Sequence, residues 1–234
     1  MNIIVTGASK GIGFELVKKL VADPNNHVLG IARSASQLQV LEREIRAITT
    51  KGTFYPLVYD LGQPDYSATL VPYIQKCFNH VDVLINNAGV LINKPLSLLT
   101  DDDFDQTFNV NVKSVFRLVR DLLPMFSQKS HVVNISSMGG FQGSAKFPGL
   151  SLYSSAKGAL AVLTESLAVE LLESKISVNA LALGAVQTEM LAQAFPGYEA
   201  PLKPVEMANF IGDFALNGHL YFNGKILPVS LSTP

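Results

Sequence analysis

The fold is decided by one stretch near the N-terminus, Ile3-Ile4-Val5-Thr6-Gly7-Ala8-Ser9-Lys10-Gly11-Ile12-Gly13. A short apolar run leads into a glycine-rich turn and then into an amphipathic segment, which predicts a strand, a tight turn and a helix. Glycines let the backbone approach a ligand closely, and the helix N-terminus offers unpaired N–H groups with a partial positive charge. This order of elements predicts a pyrophosphate-binding loop. The alternative is a tight turn with no ligand.

The rest of the chain repeats this alternation of strands and helices. Predicted strands cover residues 3–5, 27–31, 54–59, 81–85, 132–135, 176–183 and 226–229. Predicted helices run from the glycine loop to about residue 22 and over residues 38–48, 66–78, 101–125, 156–172 and 205–216. Residues 189–203 are expected to be irregular. No linker or repeat interrupts the pattern, which predicts one domain over residues 1–234, an α/β fold with a doubly wound parallel sheet of about seven strands and helices on both faces.

Two details of the helices are also predicted. The helix over residues 66–78 is expected to continue through Pro72. Asp101 or Asp102 is expected to cap the helix that follows, because a carboxylate is a good acceptor for the first N–H groups of a helix.

Polar residues or glycines follow the predicted ends of six strands. These features are the glycine loop, Arg33, Asp60, Asn87, Ser137 and Gly184. Ligands bind such sheets at the carboxyl ends of the strands, near the point where the strand order reverses. The sequence therefore predicts one site along one edge of one sheet.

A candidate for proton transfer is the pair Tyr153 and Lys157 in Tyr153-Ser154-Ser155-Ala156-Lys157. Residues four apart lie on the same face of a helix, so the two polar ends can approach one site. Tyrosine has a reference pKa of about 10, and a nearby cation favours the phenolate and lowers that pKa. The pair is therefore suited to proton exchange with a carbonyl oxygen. The alternative is a half-buried tyrosine beside a solvated lysine.

The end of the second predicted strand indicates the cofactor. It carries Ala32, Arg33 and Ser34 and no carboxylate. In dinucleotide-binding folds an acidic residue here binds the ribose 2′-hydroxyl, whereas an arginine accommodates a 2′-phosphate. Lys10 in the glycine loop could add a second positive charge. The sequence therefore favours NADP(H) over NAD(H), unless both cations are merely solvated.

Composition narrows the function classes. The chain has 234 residues, 48% hydrophobic and 16% charged, with a net charge of −1, which argues against nucleic acid or a membrane surface as the main partner. The single cysteine, Cys77, permits no internal disulfide and is expected to be a buried small hydrophobe. The histidines are isolated, so no metal site is predicted. The N-terminus does not resemble a signal peptide and no apolar run is long enough to span a membrane, so a cytoplasmic location is expected.

Taken together and in order, these motifs resemble the classical short-chain dehydrogenase/reductases over essentially the whole chain. The matching motifs are Thr6-Gly7-x-x-x-Gly11-x-Gly13, Asp60-Leu61, Asn86-Asn87-Ala88-Gly89, Asn111, Ser137 and Tyr153-x-x-x-Lys157. The resemblance implies a Rossmann fold, a nicotinamide cofactor and the interconversion of a small-molecule carbonyl and alcohol. The cofactor contacts that it implies are Thr6, Gly7, Ser9, Lys10, Gly11, Ile12, Gly13, Arg33, Ser34, Asp60, Leu61, Asn87, Ala88, Gly89, Tyr153, Lys157, Val186 and Thr188.

The resemblance also implies catalytic roles. Tyr153 would donate a proton to the oxygen of the carbonyl that accepts hydride, and Ser137 would place that oxygen. Lys157 would lower the Tyr153 pKa and bind the nicotinamide ribose. Asn111 would hold a water that connects Lys157 to solvent.

Two assignments have competitors. Asn109 competes with Asn111, which is preferred because Val-Lys-Ser-Val-Phe follows it as in the family. Ser136 competes with Ser137, since both lie at the same strand end.

The chain departs from the family pattern near the substrate. Leu183-Gly184 replaces the usual Pro-Gly, so that turn is expected to be less rigid, and Val186 and Thr188 match the family pattern less specifically than the other cofactor residues. Residues 143–150 lengthen the loop before Tyr153, and the short segment 189–203 predicts a small lid and an open site. The expected apolar entrance comprises Phe141, Phe147, Leu150, Leu152, Met190 and Phe195.

Other readings stay open. An NADPH-binding regulator with little catalysis needs the glycine loop but not the full catalytic set, and a Rossmann methyltransferase needs neither Arg33 nor the Tyr/Lys pair. A homodimer or homotetramer is expected through two helices, unless their apolar residues pack only on their own sheet. The residues of that face are Phe104, Phe108, Val115, Leu118, Ala159, Val162 and Leu163.

Overall fold

The computed structural model describes residues 1–48 and 51–231 and contains one seven-stranded parallel sheet. The strands are β1 Asn2–Thr6, β2 His27–Ala32, β3 Thr53–Val58, β4 Val81–Asn86, β5 Phe126–Ser137, β6 Ser177–Leu183 and β7 Ile226–Val229. The helices are α1 Gly11–Val21, α2 Ala35–Arg46, α3 Tyr66–Cys77, α4 Asp101–Phe108, α5 Ser114–Leu122, α6 Ser151–Glu170, α7 Glu189–Ala194 and α8 Pro204–Asn217. The predicted Rossmann-type architecture is confirmed.

The sheet has two buried faces, and alternate residues of each strand supply them. Ile3 and Val5 pack into a core with α1, α2 and α8, whereas Ile4 packs on the other side with α3 and α5. All three side chains are fully buried, and burial of such a side chain is worth about 1.5–3 kcal/mol. Coverage on both faces explains why these strands are almost continuously apolar rather than alternating.

The strand order is β3-β2-β1-β4-β5-β6-β7, so the winding reverses between β1 and β4. These two strands are paired in register, with Val5 opposite Ile85. The loops that follow them leave the sheet side by side in opposite directions. Such a crevice is where open α/β sheets bind ligands.

The predicted helix over residues 101–125 is interrupted. Between α4 and α5 lies a π-helical turn, Asn109–Lys113, and a 3₁₀ turn, Leu123–Met125, follows α5. The cap predicted at Asp101 or Asp102 is wrong, because the Thr100 hydroxyl accepts from the Asp103 N–H at 3.1 Å. The Asp103 carboxylate in turn accepts from the Thr100 N–H at 3.0 Å. A threonine can cap here because Asp103 completes a capping box.

The other predicted elements agree with the structure in part. Helix α3 continues through Pro72, as predicted. Strand β5 begins at Phe126, six residues before the predicted start, and its register against β4 shifts between Val81 and Val83. Residues 189–203 are not wholly irregular, because they contain α7, which the Thr188 side chain caps by accepting from the Leu191 N–H at 3.2 Å.

Some residues of the helix face predicted to contact a second copy of the chain are buried, and others are exposed. Leu118 packs in the core on its own sheet and Val115 is also buried within the chain, so for these two the packing alternative holds. Phe104 and Val162 are 46% and 61% exposed, and Phe108, Ala159 and Leu163 are partly exposed. The apolar face that stays exposed or partly exposed therefore consists of the other five residues and excludes Val115 and Leu118.

Among residues 1–48 and 51–231, no helix combines the length and the apolar character needed to cross a membrane.

Candidate active site

The glycine loop owes its shape to backbone conformations and contacts that other residues would strain. Gly7 and Gly11 have φ values of +69° and +57°, in the left-handed region that favours glycine. A Cβ on Gly13 would lie 2.2 Å from the Gly7 carbonyl oxygen, and a Cβ on Gly7 would lie 2.9 Å from the Ala88 Cα. The three glycines therefore let the loop, here called the cradle, adopt its left-handed turns and pack closely on itself and on Ala88, which side chains would prevent.

The loop after β4 braces this cradle. The Thr6 hydroxyl accepts hydrogen bonds from the Asn87 and Ala88 N–H groups, both at 3.0 Å. The Asn87 side chain donates back to the Thr6 and Gly7 carbonyls at 3.0 and 3.3 Å. Thr6 is 1% exposed, so it acts behind the loop rather than at its surface.

A cleft of about 780 Å³ runs along the carboxyl ends of the strands. Most of the predicted cofactor residues line it together: Gly7, Ser9, Lys10, Gly11, Ile12, Arg33, Ser34, Asp60, Leu61, Asn87, Ala88, Gly89, Tyr153, Lys157, Val186 and Thr188. Ser137 also lines the cleft. Thr6, Gly13 and Asn111 do not line it and support it from behind.

The residues at the β2 end of the cleft suit a phosphate. Arg33 is exposed, and Ser34 caps α2 by accepting from the Gln37 N–H at 3.3 Å. The N-terminus of α2 adds its partial positive charge beside the guanidinium.

Lys10, predicted as a second positive charge for the phosphate, is paired with a carboxylate instead. Its ammonium lies 3.2 Å from the Glu189 carboxylate at the start of α7, and both side chains are more than half exposed. An exposed pair of this kind is worth at most about 1 kcal/mol. Lys10 is therefore partly neutralised, and Arg33 is the stronger of the two predicted phosphate-binding cations.

Helix α6 places Tyr153 and Lys157 on one face above the end of β5. The Tyr153 hydroxyl hydrogen-bonds with Ser137, and the Lys157 ammonium lies 5.8 Å from the centroid of the Tyr153 ring. The Lys157 ammonium donates to the Ile135 carbonyl at 2.7 Å. A hydroxyl pair and a buried cation thus meet at one point of the cleft.

Burial dominates the protonation of both groups. It raises the pKa of Tyr153, and the hydrogen bond from Ser137 opposes it only in part. It also lowers the pKa of Lys157 to about 8. The expectation that Lys157 lowers the Tyr153 pKa is therefore not met in this structure, because desolvation outweighs a cation whose donor is directed at Ile135.

The geometry separates the two serines. The Ser136 hydroxyl is buried and donates to the Lys157 carbonyl at 3.0 Å, which ties α6 to β5. The Ser137 hydroxyl accepts from the Gly139 N–H at 3.2 Å and contacts Tyr153. This arrangement supports Ser137 as the serine beside the reacting oxygen and gives Ser136 an anchoring part.

The two asparagines also differ. The Asn111 side chain bonds both ways to the Val90 backbone, accepting at 3.0 Å and donating at 2.9 Å. A Cβ added to Gly89 would lie 3.0 Å from Asn111 Oδ1 and 3.6 Å from Lys157 Nζ, so both side chains abut Gly89. Asn109 instead donates to the Gly62 carbonyl at 3.2 Å. The π-helical turn adds the residue that directs Asn111 inward, a common use of such bulges at functional sites.

The turn at Leu183-Gly184, which lacks the usual proline, is held by contacts with Val229 and Ser230. The Gly184 N–H donates to the Val229 carbonyl at 2.9 Å, and a Cβ on Gly184 would lie 2.3 Å from Ser230 Oγ. The predicted looseness is therefore offset by the chain after β7. Val186 pairs with Leu202, and Thr188 packs against Gly11.

Several lining residues were not predicted from the sequence. They are Gln37, Tyr59, Leu91, Leu191, Tyr198 and Ser230. Tyr59 directly precedes Asp60 at a strand end, so the signal that singled out Asp60 could have found it. Tyr198 and Ser230 belong to no motif and reach the cleft only through the tertiary fold.

Comparison with known proteins decides the family. A sequence model described as short chain dehydrogenase matches residues 1–199. The chain belongs to the short-chain dehydrogenase family. Carbonyl reductase [NADPH] 2 of Sus scrofa is 36% identical to this short-chain dehydrogenase over 193 residues, which is 81% of this chain and 73% of that protein.

Solved structures agree with the fold of this short-chain dehydrogenase. A short chain dehydrogenase from Burkholderia cenocepacia J2315 in complex with NADP superposes with a TM-score of 0.86 at 27% identity, covering 97% of this chain and 95% of that one. The 3-ketoacyl-(acyl-carrier-protein) reductase from Brucella melitensis complexed with NADH gives a TM-score of 0.85 at 26% identity, covering 98% and 96%. The glycine loop fits a dinucleotide, because Gly7 and Gly11 line the cleft with backbone that no side chain covers. The family assignment removes the methyltransferase alternative.

Proposed function

We propose that this short-chain dehydrogenase is an NADP(H)-dependent oxidoreductase that interconverts a carbonyl and an alcohol, with cofactor and substrate held by one domain. The observation that carries the proposal is the meeting of Ser137, Tyr153 and Lys157 in the same cleft as the glycine loop. The cofactor supplies hydride when bound. The protein supplies position, charge and a proton.

The two hydroxyls define where the reacting oxygen lies. Ser137 and Tyr153 are hydrogen-bonded neighbours, so a carbonyl oxygen placed beside them can accept from both. Burial keeps Tyr153 protonated at neutral pH, and a neutral phenol is the form that can donate. As negative charge develops on the oxygen, Tyr153 gives up its proton and Ser137 holds the oxygen in place.

Lys157 and Asn111 support that transfer. With a pKa of about 8, Lys157 is mostly charged at pH 7, so its charge favours the phenolate as the proton leaves, although burial keeps the resting Tyr153 pKa high. Lys157 would contact the nicotinamide ribose. Asn111 and Lys157 both abut Gly89, and we assign to Asn111 the water that returns a proton to Lys157.

The preference for NADP(H) rests on Arg33. Replacement of this arginine in Arg33→Gln is expected to weaken NADPH binding about tenfold, because a charge-assisted hydrogen bond to phosphate is worth roughly 1.5–3 kcal/mol. NADH binding should change little. Thermal-shift titrations with both cofactors measure this, since a ligand of the folded state raises its stability.

The matched control is Arg43→Gln, which removes an arginine of α2 that does not line the cleft. Equal losses of NADPH and NADH binding in Arg33→Gln would contradict the 2′-phosphate assignment. Stronger wild-type binding of NADH than of NADPH would contradict it as well.

We also propose that the chain is a homodimer or homotetramer that pairs through α4, α5 and α6. Phe104, Phe116 and Val162 are 46%, 42% and 61% exposed on these helices, and large exposed apolar groups that cluster indicate an interface. Val162→Asp is expected to shift the protein to monomer in sedimentation velocity, because the carboxylate would be desolvated at the interface.

The control for that variant is Val58→Asp, which places the same charge on a valine that is 53% exposed at the end of β3. A wild-type monomer at micromolar concentration would contradict the proposed assembly. So would a Val162→Asp variant that assembles as the wild type does.

A further inference from the structure

Two phenylalanines from different loops meet in the lining of the cleft that also contains Tyr153. Phe147 lies in the loop between β5 and α6, and Phe195 follows α7 directly. Their ring centroids are 6.1 Å apart with an interplanar angle of 70°, an edge-to-face contact. Both rings line the cleft although Phe147 is 45% exposed. An apolar ring left this open at a cleft offers a surface that a ligand can cover.

The backbone behind the two rings is fixed by the loop after β4. The Asn93 side chain donates to the Ala194 carbonyl at 2.7 Å, next to Phe195. The Lys94 N–H donates to the Gly149 carbonyl at 3.1 Å, two residues after Phe147. Both aromatic loops are therefore tied to one segment, which holds the rings in a set relation before any ligand arrives.

Gly149 allows this close approach. It has a φ of +83°, and a Cβ there would lie 2.0 Å from Asn93 Oδ1. The loop that carries Phe147 can therefore contact Asn93 only because this residue lacks a side chain.

The surroundings of the two rings are apolar and aromatic. Leu150, Met190 and Tyr198 also line the cleft, and the Leu150 and Tyr198 N–H groups donate to the Phe147 and Phe195 carbonyls at 3.2 and 3.1 Å. Methionine sulfur and a tyrosine ring both make favourable contacts with aromatic groups.

Charged groups lie elsewhere in the cleft. Among the described residues that line it, the cations are Lys10, Arg33 and Lys157, and the carboxylates are Asp60 and Glu189. Glu189 pairs with Lys10, and Lys157 donates to Ile135. Lys146, which neighbours Phe147 in the chain, donates to Phe141 and Ser144 and does not line the cleft. A carboxylate or phosphate on the substrate would find no cation at the aromatic end.

We propose that Phe147 and Phe195 form an aromatic clamp that selects an uncharged aryl ketone or aryl aldehyde. The inference rests on the proposed carbonyl–alcohol function. The aryl ring packs against the two phenylalanines while the carbonyl oxygen accepts hydrogen bonds from Ser137 and Tyr153. The carbonyl carbon accepts a hydride, the oxygen accepts the Tyr153 proton, and NADPH is oxidised to NADP⁺. Aromatic pairs gain energy beyond the area that they bury, which favours an aryl group over an alkyl group of similar size.

The test compares three α-diketones with the same reacting groups: 1-phenyl-1,2-propanedione, 2,3-hexanedione and 2,3-butanedione. NADPH oxidation by the wild type should give the aryl compound a kcat/KM at least about tenfold above that of 2,3-butanedione, a typical discrimination by an apolar pocket. The aryl compound should also exceed the aliphatic 2,3-hexanedione. 4-Acetylbenzoate, which carries its carboxylate on the aryl ring, should be a poorer substrate than acetophenone.

Variants locate the preference. Phe147→Ala and Phe195→Ala should each lower the ratio of kcat/KM for the aryl diketone to kcat/KM for 2,3-butanedione about tenfold. Phe141→Ala, in the same loop but outside the cleft, should leave the ratio unchanged. A 2,3-hexanedione rate equal to the aryl rate, or an unchanged ratio in the two clamp variants, would overturn the clamp while the reductase function stands.

A failure of the reductase function itself gives a different result. If none of the diketones is reduced, ligand-observed NMR measures the binding of acetophenone to the protein with and without NADP⁺. Binding that is lost in both Phe147→Ala and Phe195→Ala would support the clamp. No binding to the wild type, or equal binding to the variants, would overturn it.

Discussion

Tyr153→Phe is expected to lower kcat for carbonyl reduction by roughly 10²–10⁴-fold, the usual contribution of a positioned general acid. The substitution removes the hydroxyl that hydrogen-bonds with Ser137 and leaves the ring beside Lys157. Ser137 can still hold the oxygen, but its hydroxyl is far too weak an acid to replace the phenol. Because the change lies away from Arg33 and the glycine loop, the dissociation constant for NADPH should stay within about twofold, which is about 0.4 kcal/mol.

The control for this prediction is Tyr198→Phe, which removes a second tyrosine hydroxyl from the same cleft. That variant should keep most of its activity, since Tyr198 is placed on another loop and outside the catalytic set. Steady-state kinetics and an equilibrium NADPH titration on both variants separate catalysis from binding. If the kcat of Tyr153→Phe is within a few fold of the wild-type value, Tyr153 is not the general acid. Normal NADPH binding without turnover in the wild type would instead favour the regulator alternative.

Gly13→Ala is expected to weaken NADPH binding by roughly 10- to 100-fold. The new Cβ would lie 2.2 Å from the Gly7 carbonyl oxygen and 2.6 Å from Asn87 Nδ2, so the cradle must shift. Asn87 and Thr6 hold that loop by four hydrogen bonds, which leaves it little freedom to yield. Overpacking of this kind costs about 1–3 kcal/mol, and each 1.4 kcal/mol is tenfold in affinity.

Gly158→Ala is the matched control. A Cβ there would lie 3.5 Å from the Gly140 carbonyl oxygen, an ordinary contact, and the residue is inside α6. Alanine in a helix should raise stability by about 0.5–1 kcal/mol without changing the cofactor site. Thermal melts and NADPH titrations on both variants distinguish lost binding from lost folding. A folded Gly13→Ala protein that binds NADPH as tightly as Gly158→Ala does would contradict the assigned cradle.

The sheet and most of the cofactor cleft could be predicted because their signals are local. Each buried strand is a short apolar run such as Ile3-Ile4-Val5, and each is followed by the glycine or polar residue that reaches the crevice. Parallel strands place those residues at one edge whatever the details of the helices. The grouping of Arg33, Asp60 and Asn87 in one cleft therefore followed from strand ends alone.

The interrupted helix could not be predicted from a periodic pattern. The sequence of residues 101–125 has the pattern of one amphipathic helix. The π-helical turn that interrupts it accompanies a long-range hydrogen bond between Asn111 and Val90, which the local pattern does not contain. The early start of β5 has the same cause. Its first residues are largely polar, and Phe126 pairs with Val81 only in the assembled sheet.

Ion pairs between residues far apart in the chain, and pKa shifts caused by burial, also could not be predicted from the sequence. Lys10 and Glu189 are 179 residues apart in the chain, and no motif joins them. The pKa of Tyr153 depends on how deeply α6 is buried, whereas the spacing of Tyr153 and Lys157 shows only that they share a helix face. Helix α7 did have a local signal, since Thr188 and Pro196 bracket it, but three prolines nearby favoured an irregular reading.

The central claim, hydride transfer between NADPH and a carbonyl, is tested most directly by isotope transfer. The purified protein is incubated with NADPH deuterated on the nicotinamide C4 and with a panel of small ketones, diketones and aldehydes, and the products are analysed by mass spectrometry. We expect the wild type, and not Tyr153→Phe, to form an alcohol that carries one deuterium on its carbinol carbon. Tight NADPH binding with no deuterated alcohol from any carbonyl of the panel would contradict it.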